Sequence, residues 1–283
     1  MSRDLEGKVF LITGGTEGIG KAAALDFARR HATLVIVGRN REKTERVVGE
    51  LKAAGGYDRV DMLLGDMAKM ADIRAVAKEF GAKYDRLDVL VNNAGAWFEK
   101  YALTSDGIEQ TFALNHIGYF LLTTELLELI RKTPNSRVVN TSSGAHTMSR
   151  FDLKNIVKRD GSAGFPAYAD SKLANVLFTL ELAKRLSGST AAANCFHPGF
   201  VRSAFGWNNE GFIKWSFGLG QTLFARSVEK GAETLIWLAT HPEAAGFNGQ
   251  YFYDLKVRRV RARGDDPELA RRLWDLSEGL CRA

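Results

Sequence analysis

In the stretch PAYADSKLANVLF a tyrosine and a lysine, Tyr168 and Lys172, stand four positions apart at the start of a helical pattern. That spacing sets phenol and ammonium side by side on one helical face. A free phenol ionises near ~10 and exchanges its proton sluggishly at neutral pH, whereas an adjacent ammonium favours the phenolate. Such a pair could hand a proton to a newly formed alkoxide or take one from an alcohol. Helices of this composition often contain Tyr-x-x-x-Lys by chance, so the rest of the chain must decide.

Three further groups have the types and spacing for the same chemistry. TGGTEGIG, residues 13 to 20, follows the apolar run VFLI and opens a helical pattern. Gly14, Gly18 and Gly20 there suit a tight turn, close approach of backbone to a pyrophosphate and close helix packing, with the helix amino terminus facing the phosphate charge. After the second apolar run, in VIVGRN, an NAD site would carry an acid for the ribose 2′-hydroxyl; this chain has Arg39, followed by Asn40 and Arg41. A guanidinium binds a 2′-phosphate that a carboxylate would repel, which favours NADP(H) over NAD(H). Glu17, inside the glycine loop, works against that reading. The third group is NTSSGAH, which places Ser142 and Ser143 at the end of another apolar run, with room before Tyr168 for hydroxyl and phenol to converge. A Ser-His hydrolase built on Ser143 with His146, His116 or His197 is disfavoured, because no G-x-S-x-G elbow surrounds any serine.

The elements that must position these groups follow from the hydrophobic pattern. Apolar runs KVFLIT, TLVIVG, VDMLLGD, LDVLVNNAG, RVVNTSS, AAANCFHPG and GQYFYD alternate with helix-like segments such as IGKAAALDFARRH, IGYFLLTTELLELIRK and VEKGAETLIWLATH. Continuous apolar runs are what a parallel sheet covered on both faces requires. The expected fold is therefore α/β: a single doubly wound Rossmann-type domain over residues 1–283, with a central parallel sheet of about seven strands and helices on both faces. Asp66, after the third run, suits an adenine contact or a helix N-cap. Asn93, Ala94 and Gly95 in NNAG let backbone approach a ribose, while Asn92 is expected to tie strands together. Residues 204 to 225 break the rhythm with aromatic side chains and glycines, and are expected to form a substrate lid carrying Phe205, Trp207 and Trp215.

The 283 residues, 45% apolar, suffice for a substantial core. Two cysteines exclude a disulfide framework and a four-ligand zinc site, and a cytoplasmic location is expected. No stretch has the length and apolarity of a membrane span. The net charge of +6 is partly concentrated in KVRRVRARG, read as a solvated strand end and loop rather than a nucleic-acid surface, since no stacking platform accompanies it.

Taken together, TGGTEGIG, NNAG, Asn115 in ALNHIGYF, NTSSGAH, YADSK and HPGFVRS resemble the short-chain dehydrogenase/reductase family, in order along nearly the whole chain. AYADSKLANVLFTLELAKRL, HPGFVRS and the tail GQYFYDLK…ARRLWDLSEGL are similar to its retinol dehydrogenase branch and bacterial relatives. The resemblance implies that Tyr168 is the general acid or base, that Lys172 is its electrostatic partner and a ligand of the nicotinamide ribose, that Ser143 polarises a substrate carbonyl, with Ser142 as the alternative, and that Asn115 holds a water. It also implies a cofactor site formed by Gly14, Thr16, Glu17, Gly18, Ile19, Gly20, Arg39, Asn40, Asp66, Met67, Asn93, Ala94, Gly95, Pro198, Gly199, Val201 and Ser203, together with Tyr168 and Lys172. The expected activity is NADP(H)-dependent hydride transfer to or from a lipophilic carbonyl or alcohol, retinoid- or steroid-like, without a metal. A catalytically silent NADP(H) sensor or scaffold is the competing class; an epimerase is disfavoured for want of room for a larger substrate domain. The resemblance further implies a homodimer or homotetramer, built partly through the helices starting near Ala113 and Tyr168.

Overall fold

A computed structural model describes residues 3–201, 225–261 and 263–282. The lid expected at 204 to 225, with Phe205, Trp207 and Trp215, and the cofactor candidate Ser203 therefore lie outside the described residues, apart from residue 225.

The first six apolar runs form parallel strands: β1 (Val9–Thr13), β2 (Thr33–Gly38), β3 (Val60–Leu64), β4 (Val89–Asn92), β5 (Arg137–Thr141) and β6 (Ala192–Phe196). The seventh is β7 (Tyr251–Tyr253), and an eighth strand, β8 (Lys256–Val257), pairs antiparallel to it at the edge. The sheet order β3-β2-β1-β4-β5-β6-β7-β8 reverses direction between β1 and β4, which opens a crevice at the carboxyl ends of those strands. The sheet has eight strands where seven were expected, because the two residues of β8 are too few to show a hydrophobic period and both are exposed.

Both faces are covered, which explains the continuous apolar runs. Phe10 and Ile12 of β1 pack with α1 (Gly18–Arg29), α2 (Arg41–Gly55) and the later helix Val228–Thr240. Their neighbours Val9 and Leu11 point the other way, into the layer of α3 (Met70–Lys83) and the helices that carry Asn115, Tyr168 and Lys172. The first of these is a segmented rod: α4 (Gln110–Phe112), a π-helical turn (Ala113–Ile117), α5 (Gly118–Glu125) and α6 (Leu127–Lys132). The second is α7 (Phe165–Arg185), entered through Gly164 at φ +75° with Pro166 in its first turn, where the missing N–H has no helical acceptor to lose. The Val228–Thr240 helix is α8, and the C-terminal helix α9 (Pro267–Arg282) completes this set.

Part of the apolar surface of α5 and α7 is covered within the chain by α9. Trp274 of α9 stacks on Phe178 of α7 at 5.8 Å and meets Phe120 of α5 edge-on at 4.9 Å. Arg185 lies over the same indole at 4.2 Å. Ser277 donates its hydroxyl to the Leu273 carbonyl, so the Nε2–H of the fully buried His116 donates to Ser277 at 2.9 Å.

Candidate active site

The carboxyl ends of β1 to β6, or the loops that follow them, border one cavity of about 760 Å³. After β1 the chain turns through Gly14 at φ +65° and Gly18 at φ +56°, a left-handed geometry that favours glycine. A Cβ on Gly14 would stand 2.8 Å from Ala94 Cα, so this position also permits the glycine loop and the NNAG loop to touch. The clasp between them is Thr13, whose hydroxyl accepts the N–H groups of Asn93 at 3.0 Å and Ala94 at 3.1 Å. Asn93 returns its amide to the carbonyls of Thr13 at 3.3 Å and Gly14 at 3.1 Å. Gly20 lies beneath this clasp, where a Cβ would collide with the Gly14 carbonyl oxygen. As expected, Asn92 is structural: its amide donates to Thr123 and Asn140, each at 2.9 Å.

The amino end of α1 has no side-chain cap, since Glu17 at that position accepts none of the helix N–H groups, and its first turn holds no acid. An uncapped, positive helix end facing a glycine-lined cavity fits a pyrophosphate. Thr16, Gly18 and Ile19 line the same wall. The carboxylate of Glu17 is paired with Lys43 at 2.5 Å, which neutralises the charge that weighed against phosphate binding. Arg39, exposed at the end of β2, lines the far end of the cavity and forms no ion pair with any described residue. Asn40 instead holds the backbone: its side chain accepts the Lys43 N–H at 2.8 Å as the N-cap of α2, outside the cavity lining. Asp66 is likewise outside the lining, while its neighbours Gly65 and Met67 are in it. Nor is Asp66 the cap of α3; it closes a turn onto Ala68 N–H at 3.1 Å, and Asp106 takes the first helical N–H, that of Met70, at 3.0 Å.

At the other end Tyr168, Lys172 and Ser143 converge. The one-turn spacing brings phenol and ammonium together in the cavity wall, with Lys172 Nζ 5.6 Å from the Tyr168 ring centre. Lys172 donates to the Thr141 carbonyl at 3.2 Å, which ties it to the end of β5. The Ser143 side chain lies beside the Tyr168 phenol in the cavity wall and favours its ionised form. The alternative, Ser142, is buried and donates its hydroxyl to the Lys172 carbonyl at 2.8 Å, which ties it to the scaffold. Asn115 sits in the π turn, and its side chain clasps Ala96, donating to the carbonyl and accepting the N–H, both at 2.9 Å, while also donating to Ser171 at 2.9 Å. That side chain is committed to the loop after β4, so a water at this residue would have to use its main chain. Gly95 keeps the passage open: a Cβ would lie 3.1 Å from Asn115 Oδ1 and 3.4 Å from Lys172 Nζ.

The electrostatics differ from the sequence expectation. Burial pushes the Tyr168 phenol up to about 12, opposed by the neighbouring Ser143 hydroxyl, and pulls the Lys172 ammonium down to about 7. The spacing reveals that an ammonium is near; it does not reveal that both groups have lost their water.

The sequence also left the apolar wall unassigned. Trp97, Phe98, Met148, Phe165 and Phe200 line the cavity beside Tyr168, and Trp97 meets Phe165 edge-on at 5.8 Å. Their signal was position: AWF directly follows NNAG, and Phe165 precedes Tyr168 by three residues on one helix. Pro198, Gly199 and Val201 line the side after β6, where Val201 bridges to Arg226. No group of metal-ligating side chains occurs among the described residues. Among the same residues no helix is long and apolar enough to cross a membrane.

A doubly wound sheet with a glycine turn after β1 and a Ser/Tyr/Lys cluster at its carboxyl edge defines a nicotinamide-dependent oxidoreductase. Residues 8–211 match the short chain dehydrogenase family model, and the chain belongs to that family, on its retinol dehydrogenase-like branch. It is 39% identical over 274 residues to retinol dehydrogenase 11 of Mus musculus, covering 96% of this chain and 86% of that protein. It is 36% identical over 286 residues to retinol dehydrogenase 14 of the same organism, covering 97% and 86%. Among solved structures, an uncharacterised protein from Mycobacterium paratuberculosis superposes with a TM-score of 0.78 at 28% identity, covering all of this chain and 98% of that one. A blue fluorescent protein from a metagenomic library, solved with NADPH, superposes at 0.68 with 26% identity, covering 88% and 96%.

Proposed function

We propose that the protein is an NADP(H)-dependent oxidoreductase that interconverts a carbonyl and an alcohol on a lipophilic or aromatic substrate. The observation that carries this reading is one continuous cavity with Arg39 at one end and the Ser143, Tyr168 and Lys172 side chains beside an aromatic wall at the other. The nicotinamide, when bound, supplies or accepts the hydride. Gly14, Gly18 and the uncapped start of α1 would hold the pyrophosphate, and Arg39 the 2′-phosphate, as a bidentate charge-assisted contact. Ser143 orients a substrate oxygen by its hydroxyl, and Tyr168 donates or accepts the proton at that oxygen. Lys172, anchored on Thr141, places positive charge beside the phenol when protonated and so opposes the rise that burial imposes. Trp97, Met148, Phe165 and Phe200 exclude water and favour an apolar substrate body. The relatives' names point to retinol, which suits such a wall.

The test is Tyr168→Phe, measured by fluorescence titration with NADPH and NADH and by turnover on lipophilic and aromatic aldehydes and ketones. The expected result is tighter binding of NADPH than NADH, retained in the variant, and turnover reduced by at least about 10²-fold. Unchanged turnover would remove Tyr168 from the chemistry, and NADPH binding without wild-type turnover across the panel would support the sensor class. Preference for NADH would overturn the role of Arg39.

A further inference from the structure

His146 has no part in the chemistry described above, yet it is 2% exposed and lies three residues beyond Ser143. Its ring Nδ1 is 2.7 Å from the Ser143 carbonyl oxygen, and its backbone N–H donates to that same oxygen at 3.1 Å. A carbonyl oxygen only accepts, so the ring carries its proton on Nδ1. Two donors on one oxygen fix the plane of the peptide that joins Ser143 to Gly144. The Ser143 hydroxyl is set from within the same turn: it accepts the Ala145 N–H at 3.2 Å and lies beside the Tyr168 phenol in the cavity wall.

The ring is itself held from outside the turn. Tyr251 of β7 meets it edge-on at 4.8 Å. His197, which stacks on Tyr253 at 4.2 Å, stands 3.5 Å from the place where a Gly144 Cβ would be. The Ser143–Gly144 peptide is thus enclosed between two imidazoles backed by β7. Burial lowers the pKa of His146, so the ring adds no charge beside the phenol at neutral pH. The remaining ring nitrogen, Nε2, is buried and has no hydrogen-bond partner among the described residues, where the ring's polar contact in this turn is the one to Ser143.

We propose that His146 is the positioning residue of the catalytic serine, its Nδ1–H holding the Ser143 peptide so that the hydroxyl reaches both Tyr168 and a substrate oxygen. This rests on the reading of Ser143 as the substrate-orienting hydroxyl. The arrangement differs from a Ser-His nucleophile pair, because the imidazole contacts the serine carbonyl and not its Oγ.

Four variants test it on the full chain: His146→Leu, His146→Asn, Ser143→Ala and the double variant Ser143→Ala/His146→Leu. Asparagine can present an amide N–H near the place of Nδ1, whereas leucine keeps the bulk and loses the donor. The readouts are kcat and KM on one aldehyde and NADPH affinity by fluorescence, the last also reporting that each variant is folded. Ser143→Ala is expected to lose turnover by about 10²-fold or more. His146→Leu should lower kcat by roughly 10- to 100-fold, the range a slight misplacement of a reacting group produces. It should leave NADPH affinity within about two-fold, and asparagine should recover most of the loss. In the Ser143→Ala background the leucine change should cost almost nothing further, since the hydroxyl it positions is gone.

Equal losses in His146→Leu and His146→Asn, or additive losses in the double variant, would reduce His146 to packing and overturn the proposal. So would wild-type kcat in His146→Leu. If Ser143→Ala itself keeps full turnover, the reading of the site fails, and the inference with it.

Discussion

Replacing Lys172 with methionine should raise the stability of the cofactor-free protein at neutral pH while removing its turnover. The ammonium is 3% exposed, and the Thr141 carbonyl with the ring faces of Tyr119 and Tyr168 replaces only part of its water. Burial therefore pulls it from 10.5 down to about 7. Between those two values the unfolded chain holds a proton that the native chain has released, so native stability rises with pH through this window. Below about pH 7 both states hold the proton, and the native state bears the full cost of the buried charge. At about 1.4 kcal/mol for each pH unit, the whole rise amounts to about 5 kcal/mol. Methionine fills a similar volume without a charge and should show none of it. Tyr168 and the buried thiols Cys195 and Cys281, all raised by burial, act in the opposite direction above about pH 9. They are common to both proteins, so the difference between wild type and variant isolates the lysine. Urea unfolding at pH 7, 8 and 9, followed by tryptophan fluorescence, measures that difference. The variant should lead by several kcal/mol at pH 7, and its lead should shrink by about 1.4 kcal/mol per unit above that. A difference constant from pH 7 to 9, or a variant less stable than wild type at pH 7, would refute the reasoning.

Arg39→Asp should weaken NADPH binding by roughly 10- to 100-fold, the value of a charge-assisted contact, and strengthen NADH binding, as read by fluorescence titration with both. Trp274→Ala should cost about 3–5 kcal/mol of unfolding free energy in urea, because the indole is 4% exposed and stacked between Phe178 and Arg185. The same variant should show concentration-dependent self-association by light scattering, since it thins the cover over the α5 and α7 face.

The strands and the chemical groups were legible because each leaves a short-range mark. A parallel strand buried on both faces is a continuous apolar run, and ligands of such sheets gather where those runs end, as Gly14, Arg39, Asn93 and Ser143 do. What was not legible depends on partners far along the chain or on solvent. The periodicity of LARRLWDLSEGL announces an amphipathic helix, but nothing local says that Trp274 lands on Phe120 and Phe178 rather than on another copy. Thr13 reaches Asn93 across 80 positions, and its role rests on a hydroxyl direction that residue type does not specify. The π turn at Ala113–Ile117 is a slip in hydrogen bonding within an unbroken apolar pattern, so the sequence reads straight through it. The ionisation of Tyr168 was expected in the wrong direction for the cofactor-free protein, because a spacing rule counts charges and omits desolvation.

Two doublets show how the fold sorts like residues into scaffold and site. Asn92 ends β4 and Asn93 follows it, and Ser142 and Ser143 follow β5. Successive side chains along an extended chain point to opposite sides, so only one member of each doublet can face inward. Asn92 turns into the protein, to Thr123 and Asn140, and Asn93 clasps the glycine loop. Ser142 anchors the carbonyl of Lys172, and Ser143 meets Tyr168. The two serines should therefore fail in opposite ways. Ser142→Ala deletes a buried hydrogen bond and should cost about 1–2 kcal/mol in urea unfolding, with turnover reduced only modestly. Ser143→Ala should leave the unfolding midpoint nearly unchanged and abolish most of the turnover. An exchange of these two phenotypes would mean that the alternation at the end of β5 runs the other way, and would transfer the polarising hydroxyl to Ser142.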